Sequence, residues 1–226
     1  MRLSVIVPVY NERRTIETLL DKVRRVPIEK EIIIIDGNSI DGTREILKAQ
    51  ERYPGTRVIY EPEPRGRGRA IKEGLRVATG EIVIFQDADL ELDPADYPNL
   101  IEPIETGKAQ VVFGSRFLAG KPRMGFLQYW GNKIINTMVN LCYKTRLTDV
   151  ETCYQVFPLS VIRDIRVDNN DFAYTVELTV QLIKHGYNIL EIPIQYIPRG
   201  RLEGKKVYWK DGIISLYTII KYRIFS

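Results

Sequence analysis

The sequence predicts an α/β fold built on a mostly parallel central sheet flanked by helices, and two observations carry that expectation. Short apolar runs bounded by glycine, proline or acids alternate with segments of helical periodicity, the rhythm of successive βαβ units. Several of those runs end abruptly in carboxylates: Glu12 after the first, Asp36 after the second, and Asp87, Asp89 and Glu91 after the fourth. In open α/β sheets ligands bind outside the carboxyl ends of the strands, so acids placed there face a crevice rather than a core.

Taken in order, Leu3 to Tyr10 reads as a buried first strand, which Pro8 brings to an end because proline cannot donate to a central ladder. Asn11 and Glu12 follow at its exit. Ile16, Leu19, Leu20 and Val23 recur at helical spacing within Arg13 to Val26, and Pro27 closes that helix. Ile32 to Ile35 is a β-branched run leading into Asp36-Gly37-Asn38-Ser39, and Asp41-Gly42-Thr43 opens a helix through Gln50. Arg57 to Tyr60 is a third strand, Arg67 to Ala78 a third helix and Glu81 to Gln86 the fourth strand.

Beyond Glu91 the rhythm changes. Pro94 to Glu105 reads as a helix, with Pro94 suited to its first turn, and Ala109 to Gly114 as a buried strand that exits through Ser115-Arg116-Phe117. Phe126 to Tyr143 is apolar almost all round. A strand at Cys153 to Phe157, a helix from Tyr174 to His185, a strand at Asn188 to Ile192 and a strand-like stretch to Ile197 follow. Lys205 to Phe225 closes the chain with aromatics among lysines and arginines. The expected organisation is one domain over 1–226, with 1–115 as the nucleotide half and 116–226 as the acceptor half.

Composition narrows the classes. With 44% hydrophobic content in 226 residues the chain can bury a good core. A net charge of +4, from 33 basic and 29 acidic residues, does not suggest general binding to nucleic acid. Cys142, Cys153 and His185 offer neither a disulfide framework nor metal-ligand spacing. Leu3 begins a strand pattern with no charged-then-apolar leader ahead of it, and the uncharged run Ile134 to Tyr143 is far short of the ~20 residues a spanning helix needs, so a cytoplasmic protein is expected.

The acids at the fourth strand end set the chemistry. Asp87-Ala88-Asp89 with Glu91 offers hard oxygen ligands suited to Mg²⁺ or Mn²⁺, which keep several waters and are typically held by one or two carboxylates plus substrate phosphates. Each acid taken singly is explained as well by a solvated turn; several converging need a cation or a donor-rich ligand to offset their repulsion. Gly66-Arg67-Gly68-Arg69-Ala70 begins like a dinucleotide loop but has Ile71 where the third glycine belongs, and no Walker loop is present. Arg199, Arg201, Lys205 and Lys206, loosened by Gly200 and Gly204, form either a solvated loop or a clamp over a diphosphate. Arg116 could serve an anion nearer the acceptor. Glu177 and Asp149 are explained as a helix-surface acid and a turn acid.

In this order, Pro8-Val9-Tyr10-Asn11-Glu12, Asp36 through Thr43, Gly66 through Ala70 and Asp87-Ala88-Asp89 resemble the family 2 glycosyltransferases of the Rossmann-like GT-A fold. Gly114-Ser115-Arg116-Phe117, Leu147-Thr148-Asp149 and Arg199 through Lys205 narrow the likeness to the polyprenyl-phosphate sugar synthases, such as the dolichyl-phosphate mannose and glucose synthases. That resemblance implies an inverting transfer from a nucleotide-sugar donor to a polyprenyl phosphate. It implies that Pro8, Tyr10, Glu12, Asp36 and Asp87 through Asp89 bind the donor, that Asp87, Asp89 and Glu91 hold the metal, and that Asp89, Arg116, Arg199 and Lys205 act in catalysis.

A phosphate acceptor is ionised at neutral pH and needs no strong base; a soluble sugar acceptor, the alternative, would need one such as Asp149. A sensor or scaffold that kept the fold is the non-enzymatic alternative. Phe126 to Tyr143 and Lys205 to Phe225 have the character of interfacial helices, which would bring the protein to the cytosolic face of a membrane as a peripheral partner. Packing into the core or a contact between copies of the chain accounts for the same apolar residues.

Overall fold

The computed structural model describes residues 1–199 and 209–224. A seven-stranded sheet runs through both halves of the chain in the order β3-β2-β1-β4-β6-β5-β7. Its strands are β1 (Leu3–Val9), β2 (Lys30–Asp36), β3 (Thr56–Tyr60), β4 (Ile82–Phe85), β5 (Val111–Ser115), β6 (Gln155–Pro158) and β7 (Ile189–Pro193). β1, β2, β3 and β4 pair in parallel, as do β5 and β7, while β6 runs antiparallel between β4 and β5. The helices are α1 (Ile16–Arg25), α2 (Thr43–Gln50), α3 (Arg67–Val77), α4 (Tyr97–Glu105), α5 (Phe126–Tyr143), α6 (Leu159–Arg163), α7 (Tyr174–Lys184) and α8 (Trp209–Ile224).

Alternation along β1 shows how the layers form. Val5, Val7 and Val9 pack with α1 and α4 residues on one face, whereas Ile6 packs with α3 and α7 residues on the other. A strand buried on both faces reads as a continuous apolar run, which is why β1 and β2 were legible. Gly74 lets α3 lie close to the sheet, since a Cβ there would come within 2.6 Å of Ile6 Cγ2. A third cluster joins Ile135 and Val139 of α5, Val176 of α7 and Ile219 of α8.

Some expected elements differ. The first helix begins at Ile16 rather than Arg13, because the backbone amides of Thr15 and Ile16 both turn back to the Glu12 carbonyl. The strand-like stretch to Ile197 stops at Pro193, leaving one bridge between Leu92 and Tyr196. α6 was not anticipated; five residues directly after a strand are too few for a periodic signal.

Glu177 is not a surface acid. It is buried on α7, accepting the backbone amides of Asp168 at 2.7 Å and Asn169 at 2.9 Å and the Tyr222 hydroxyl of α8.

A candidate nucleotide and metal site at the strand ends

The carboxyl ends of β3, β2, β1 and β4 lie side by side, so the loops that leave them share one edge. The β1 and β2 exits are stapled together. Asn11, in a left-handed conformation with φ 52°, donates its amide to Ser39 Oγ at 2.8 Å and accepts from the Ile40 amide at 2.9 Å. The Glu12 amide donates to Thr43 Oγ1 at 2.9 Å. These bonds place Tyr10, Glu12 and Asp36 at one edge of the sheet, with Pro8 inside β1. Asp36 is fully buried and bound by Arg44 Nε at 2.6 Å and by the Ser39 amide.

At the β4 exit the carboxylates diverge. Asp87 pairs with Arg67 Nε at 2.8 Å; burial opposes the charge on that guanidinium, but Asp87 beside it outweighs the penalty and the Arg67 pKa is raised. Ala88 is buried. Leu90 takes a left-handed φ of 63°, which turns the chain and sends Glu91 towards the segment after β7. There Glu91 accepts the Arg199 amide at 2.9 Å and the Tyr196 hydroxyl at 3.2 Å.

Asp89 differs from its neighbours. Among the described residues its carboxylate accepts one hydrogen bond, from the Glu91 amide at 3.1 Å. Burial, then the charges of Asp87 and Glu91, push it up to about 7, with Arg199 pulling the other way.

Of the expected metal set, Asp87 is paired with Arg67, Glu91 is bonded to Tyr196 and Arg199, and Asp89 is the least engaged. Among the described residues no three acidic, histidine or cysteine side chains are gathered to hold an ion. The donor set still suits Mg²⁺ or Mn²⁺ at a smaller ligand count: one or two hard carboxylates, with Asp89 surrounded by negative charge that a cation would offset.

Arg199 joins the two ends of the site. Its Nε donates to the Asp89 carbonyl at 2.8 Å, and Nη1 and Nη2 donate to the Glu12 carboxylate. Lys205, with Arg201 and Lys206, lies outside the described residues. Arg116 lies at the β5 exit, 5.4 Å from the centre of the Tyr196 ring, whose hydroxyl reaches Glu91; the Arg116 amide, Nε and Nη2 bind Asp149 at 2.7–2.8 Å and Nη2 also reaches Asn132 Oδ1 at 2.9 Å. Asp149 is thus no turn acid on the surface but a fully buried counter-ion.

The sequence reading did not single out Arg67, Tyr196 or Asn132. The flanking glycines were a usable signal for Arg67: a Cβ on Gly68 would lie 2.7 Å from Tyr174 Cβ, so the backbone before α3 is pressed against the 169–171 turn and the arginine is aimed at Asp87.

α5 is polar as well as apolar on its buried side, where Ile135 and Val139 are joined by asparagines. Its inward face carries Asn132, Asn136 and Asn140, one turn apart; Asn136 binds the Thr148 carbonyl and the Val150 amide, and Asn140 binds both backbone groups of Leu147. These asparagines hold the loop that presents Asp149 to Arg116. The outward face carries Phe126, Leu127, Trp130 and Ile134, exposed by 75%, 78%, 51% and 52%. α8, packed beside α5, exposes Ile213, Ile214, Tyr217 and Ile220. No helix among the described residues is long and apolar enough to cross a membrane.

A profile of the family described as Glycosyl transferase family 2 matches residues 4–166. The dolichol-phosphate mannosyltransferase of Pyrococcus furiosus is 29% identical over 98% of this chain, which spans 64% of that protein's length. Glycosyltransferase AglD of Haloferax volcanii is 26% identical over 88% of this chain and 34% of its own. Glucosyl-3-phosphoglycerate synthase of Mycobacterium tuberculosis, crystallised with Mn²⁺, uridine diphosphate and phosphoglyceric acid, superposes with a TM-score of 0.79 at 18% identity, over 99% of this chain and 79% of its own. At that identity the likeness concerns the fold.

Proposed function

The chain belongs to glycosyl transferase family 2, and on that premise we propose that it moves a sugar from a nucleotide-sugar donor onto a polyprenyl phosphate at the cytosolic face of a membrane, inverting the anomeric centre. The observation that carries the acceptor assignment is the polarity of α5: its asparagines are spent on the Asp149 loop, so its large apolar side chains face outward beside those of α8. A lipid-linked phosphate cannot leave the bilayer, and such a surface would bring the site to it. The name of the Pyrococcus furiosus relative supports the same acceptor class.

In this reading the acceptor phosphate oxygen forms a bond to the anomeric carbon as the bond from that carbon to the donor diphosphate breaks. The acceptor is already an anion, so the protein's tasks are positioning and charge stabilisation. Tyr10, Glu12 and Asp36 border the nucleoside, with Pro8 and Ala88 shaping the floor. Asp89, together with Asp87, would hold a divalent cation, which supplies Lewis-acid stabilisation of the departing diphosphate. Arg199 adds positive charge on the same side, and Lys205, which lies outside the described residues, keeps the catalytic role that the family resemblance implies. Arg116 is assigned a positioning role: with Asp149 neutralising it, it fixes the turn after β5 rather than clamping a free phosphate.

Incubating the protein with a polyprenyl phosphate and a panel of nucleotide sugars, followed by mass spectrometry of the lipid extract, tests the proposal. The expected product is the lipid phosphate carrying one added sugar; transfer only to water-soluble acceptors would overturn it.

A further inference from the structure

Glu61 stands directly after β3, at the same edge as Tyr10 and Asp36, and nothing so far has given it a task. It is 5% exposed, and its Oε2 is buried with no hydrogen-bond partner among the described residues. Buried carboxylate oxygens are nearly always satisfied, so this orphan, like Arg69 Nε near it, marks a place where something else belongs. Its backbone is well anchored: the Glu61 amide donates to the Asp36 carbonyl at 2.9 Å, and Arg44 Nη2 donates to the Glu61 carbonyl at 2.8 Å. The side chain is therefore held in place while its carboxylate is left unspent. Burial, the largest influence, raises its pKa; nearby Arg65 draws it down and Glu73 adds to the rise.

The space beside it is bounded by the elements assigned to the nucleoside. A Cβ placed on Gly37 would lie 3.6 Å from the Val9 carbonyl, 3.8 Å from Tyr10 Cδ2 and 3.8 Å from Glu61 Oε2. The β1 and β2 exits thus bring the Tyr10 ring and the Glu61 carboxylate to within 4 Å of one point beside Gly37. Asp36 and Glu12, also at this edge, are already bound, the first by Arg44 and the Ser39 amide and the second by Arg199. Glu61 is the acid with acceptor capacity to spare.

We infer that Glu61 reads the base of the donor nucleotide and selects guanine. A carboxylate is an acceptor only, with two parallel oxygens. On its pairing edge guanine sets two N–H donors side by side, the ring N1–H and the exocyclic amine. Uracil offers one N–H flanked by two carbonyl oxygens that would repel a carboxylate. Adenine and cytosine each present an amine next to an unprotonated ring nitrogen, again one donor beside one acceptor. Guanine alone satisfies both oxygens, and the Tyr10 ring supplies an aromatic neighbour for a base. The inference rests on the proposed nucleotide-sugar activity and narrows its donor to a guanosine diphosphate sugar.

The test is calorimetry of the full chain with GDP, UDP, ADP and CDP in Mg²⁺ buffer, repeated for Glu61→Gln, with thermal unfolding of both proteins alongside. GDP should bind on the order of 10- to 100-fold more tightly than the other three, the discrimination expected of a bidentate contact. Glu61→Gln presents one donor and one acceptor, which matches uracil and mismatches guanine, so it should lose that preference and gain affinity for UDP while its unfolding temperature is held or raised. UDP binding as tightly as GDP to the unaltered protein overturns the guanine assignment alone. Unchanged preference in Glu61→Gln overturns the role of Glu61. Binding of none of the four overturns the nucleotide site itself and this inference with it.

Discussion

The Arg199 guanidinium bridges Glu12, at the exit of β1, and the backbone carbonyl of Asp89, at the exit of β4. Two positions expected from the sequence to contact the donor independently are thus bound to each other across most of the chain's length. Such an arrangement holds a largely buried cation between the two strand exits, where, in the proposed reaction, a leaving diphosphate would gain charge.

If Arg199 stabilises that charge, the contact is stronger in the transition state than with bound donor. Arg199→Ala should then lower kcat by about 10² or more with a smaller change in KM, measured in steady-state assays with saturating acceptor. A change confined to KM would make Arg199 a donor-binding residue only. Arg199→Lys keeps the charge but not the two-pronged hold on Glu12, and should recover part of the loss.

Divalent metal should matter through Asp89, since the other two acids of that turn are engaged by Arg67 and by the Tyr196–Arg199 segment. Nucleoside diphosphate binding should weaken in EDTA and be restored by Mn²⁺ or Mg²⁺. Asp89→Asn should show little of that response while unfolding at the same temperature or higher, because the mutation relieves like-charge repulsion. Equal affinity with and without EDTA in the unaltered protein would remove the metal from the account.

The buried pair Arg116–Asp149 makes a prediction about stability rather than turnover. Asp149→Ala leaves a guanidinium buried without its counter-ion and should cost about 3–5 kcal/mol in urea unfolding. Replacing both partners by apolar residues, as in Arg116→Met with Asp149→Leu, should recover much of that loss. A single variant as stable as the parent would contradict the pairing.

Much of this site was legible because parallel strands announce themselves. Continuous apolar runs ending in acids located Glu12, Asp36 and Asp87 at a shared edge, and the ordered motifs gave the family. What was not legible depended on contacts between distant segments. Glu177 lies on a helix whose outward side is covered only when Tyr222 of α8 and the turn at Asp168 close over it. Asp149 became a counter-ion only because β5 delivers Arg116 beside it. The asparagines of α5 were visible at one-turn spacing, but a helix read as apolar all round hides which side faces in. The spread of the three carboxylates has a local cause, the left-handed Leu90, and a distant one, the pairing of Asp87 with Arg67, and neither shows in the sequence.

Glu31 offers a pH test of the sheet's other end. Burial raises its pKa, but hydrogen bonds from Ser4 Oγ at 2.6 Å, the Thr79 amide and hydroxyl at 2.6 and 2.9 Å, and the Gly80 amide at 3.0 Å outweigh that, and the net shift is downward from 4.5. A lowered folded-state pKa means stability that is fully present above the ordinary value and lost as pH falls through the folded one. Thermal unfolding of Glu31→Gln should therefore trail the parent most at neutral pH, and the gap should close in acid. A gap independent of pH would assign the loss to shape rather than charge.

The last prediction concerns the outward faces of α5 and α8. Phe126, Leu127, Trp130 and Ile134 stand exposed beside Ile213, Ile214, Tyr217 and Ile220, with Lys121, Arg123, Lys133, Lys221 and Arg223 nearby in sequence. Contiguous apolar residues fringed with cations suit a helix lying in the headgroup boundary of anionic lipid. A contact between copies of this chain would cover the same residues but would not depend on lipid charge. In liposome flotation the protein should rise with anionic vesicles at low salt and less with neutral ones. Leu127→Glu with Trp130→Glu should abolish flotation without lowering the unfolding temperature, because both side chains already lie outside the core and Asn132 and Asn136 are untouched. Transfer to a lipid acceptor in vesicles should fall with flotation, while binding of a nucleoside diphosphate should not. Failure to float with anionic vesicles, even when they contain polyprenyl phosphate, would shift the acceptor to a soluble sugar and leave the apolar face as an interface between copies.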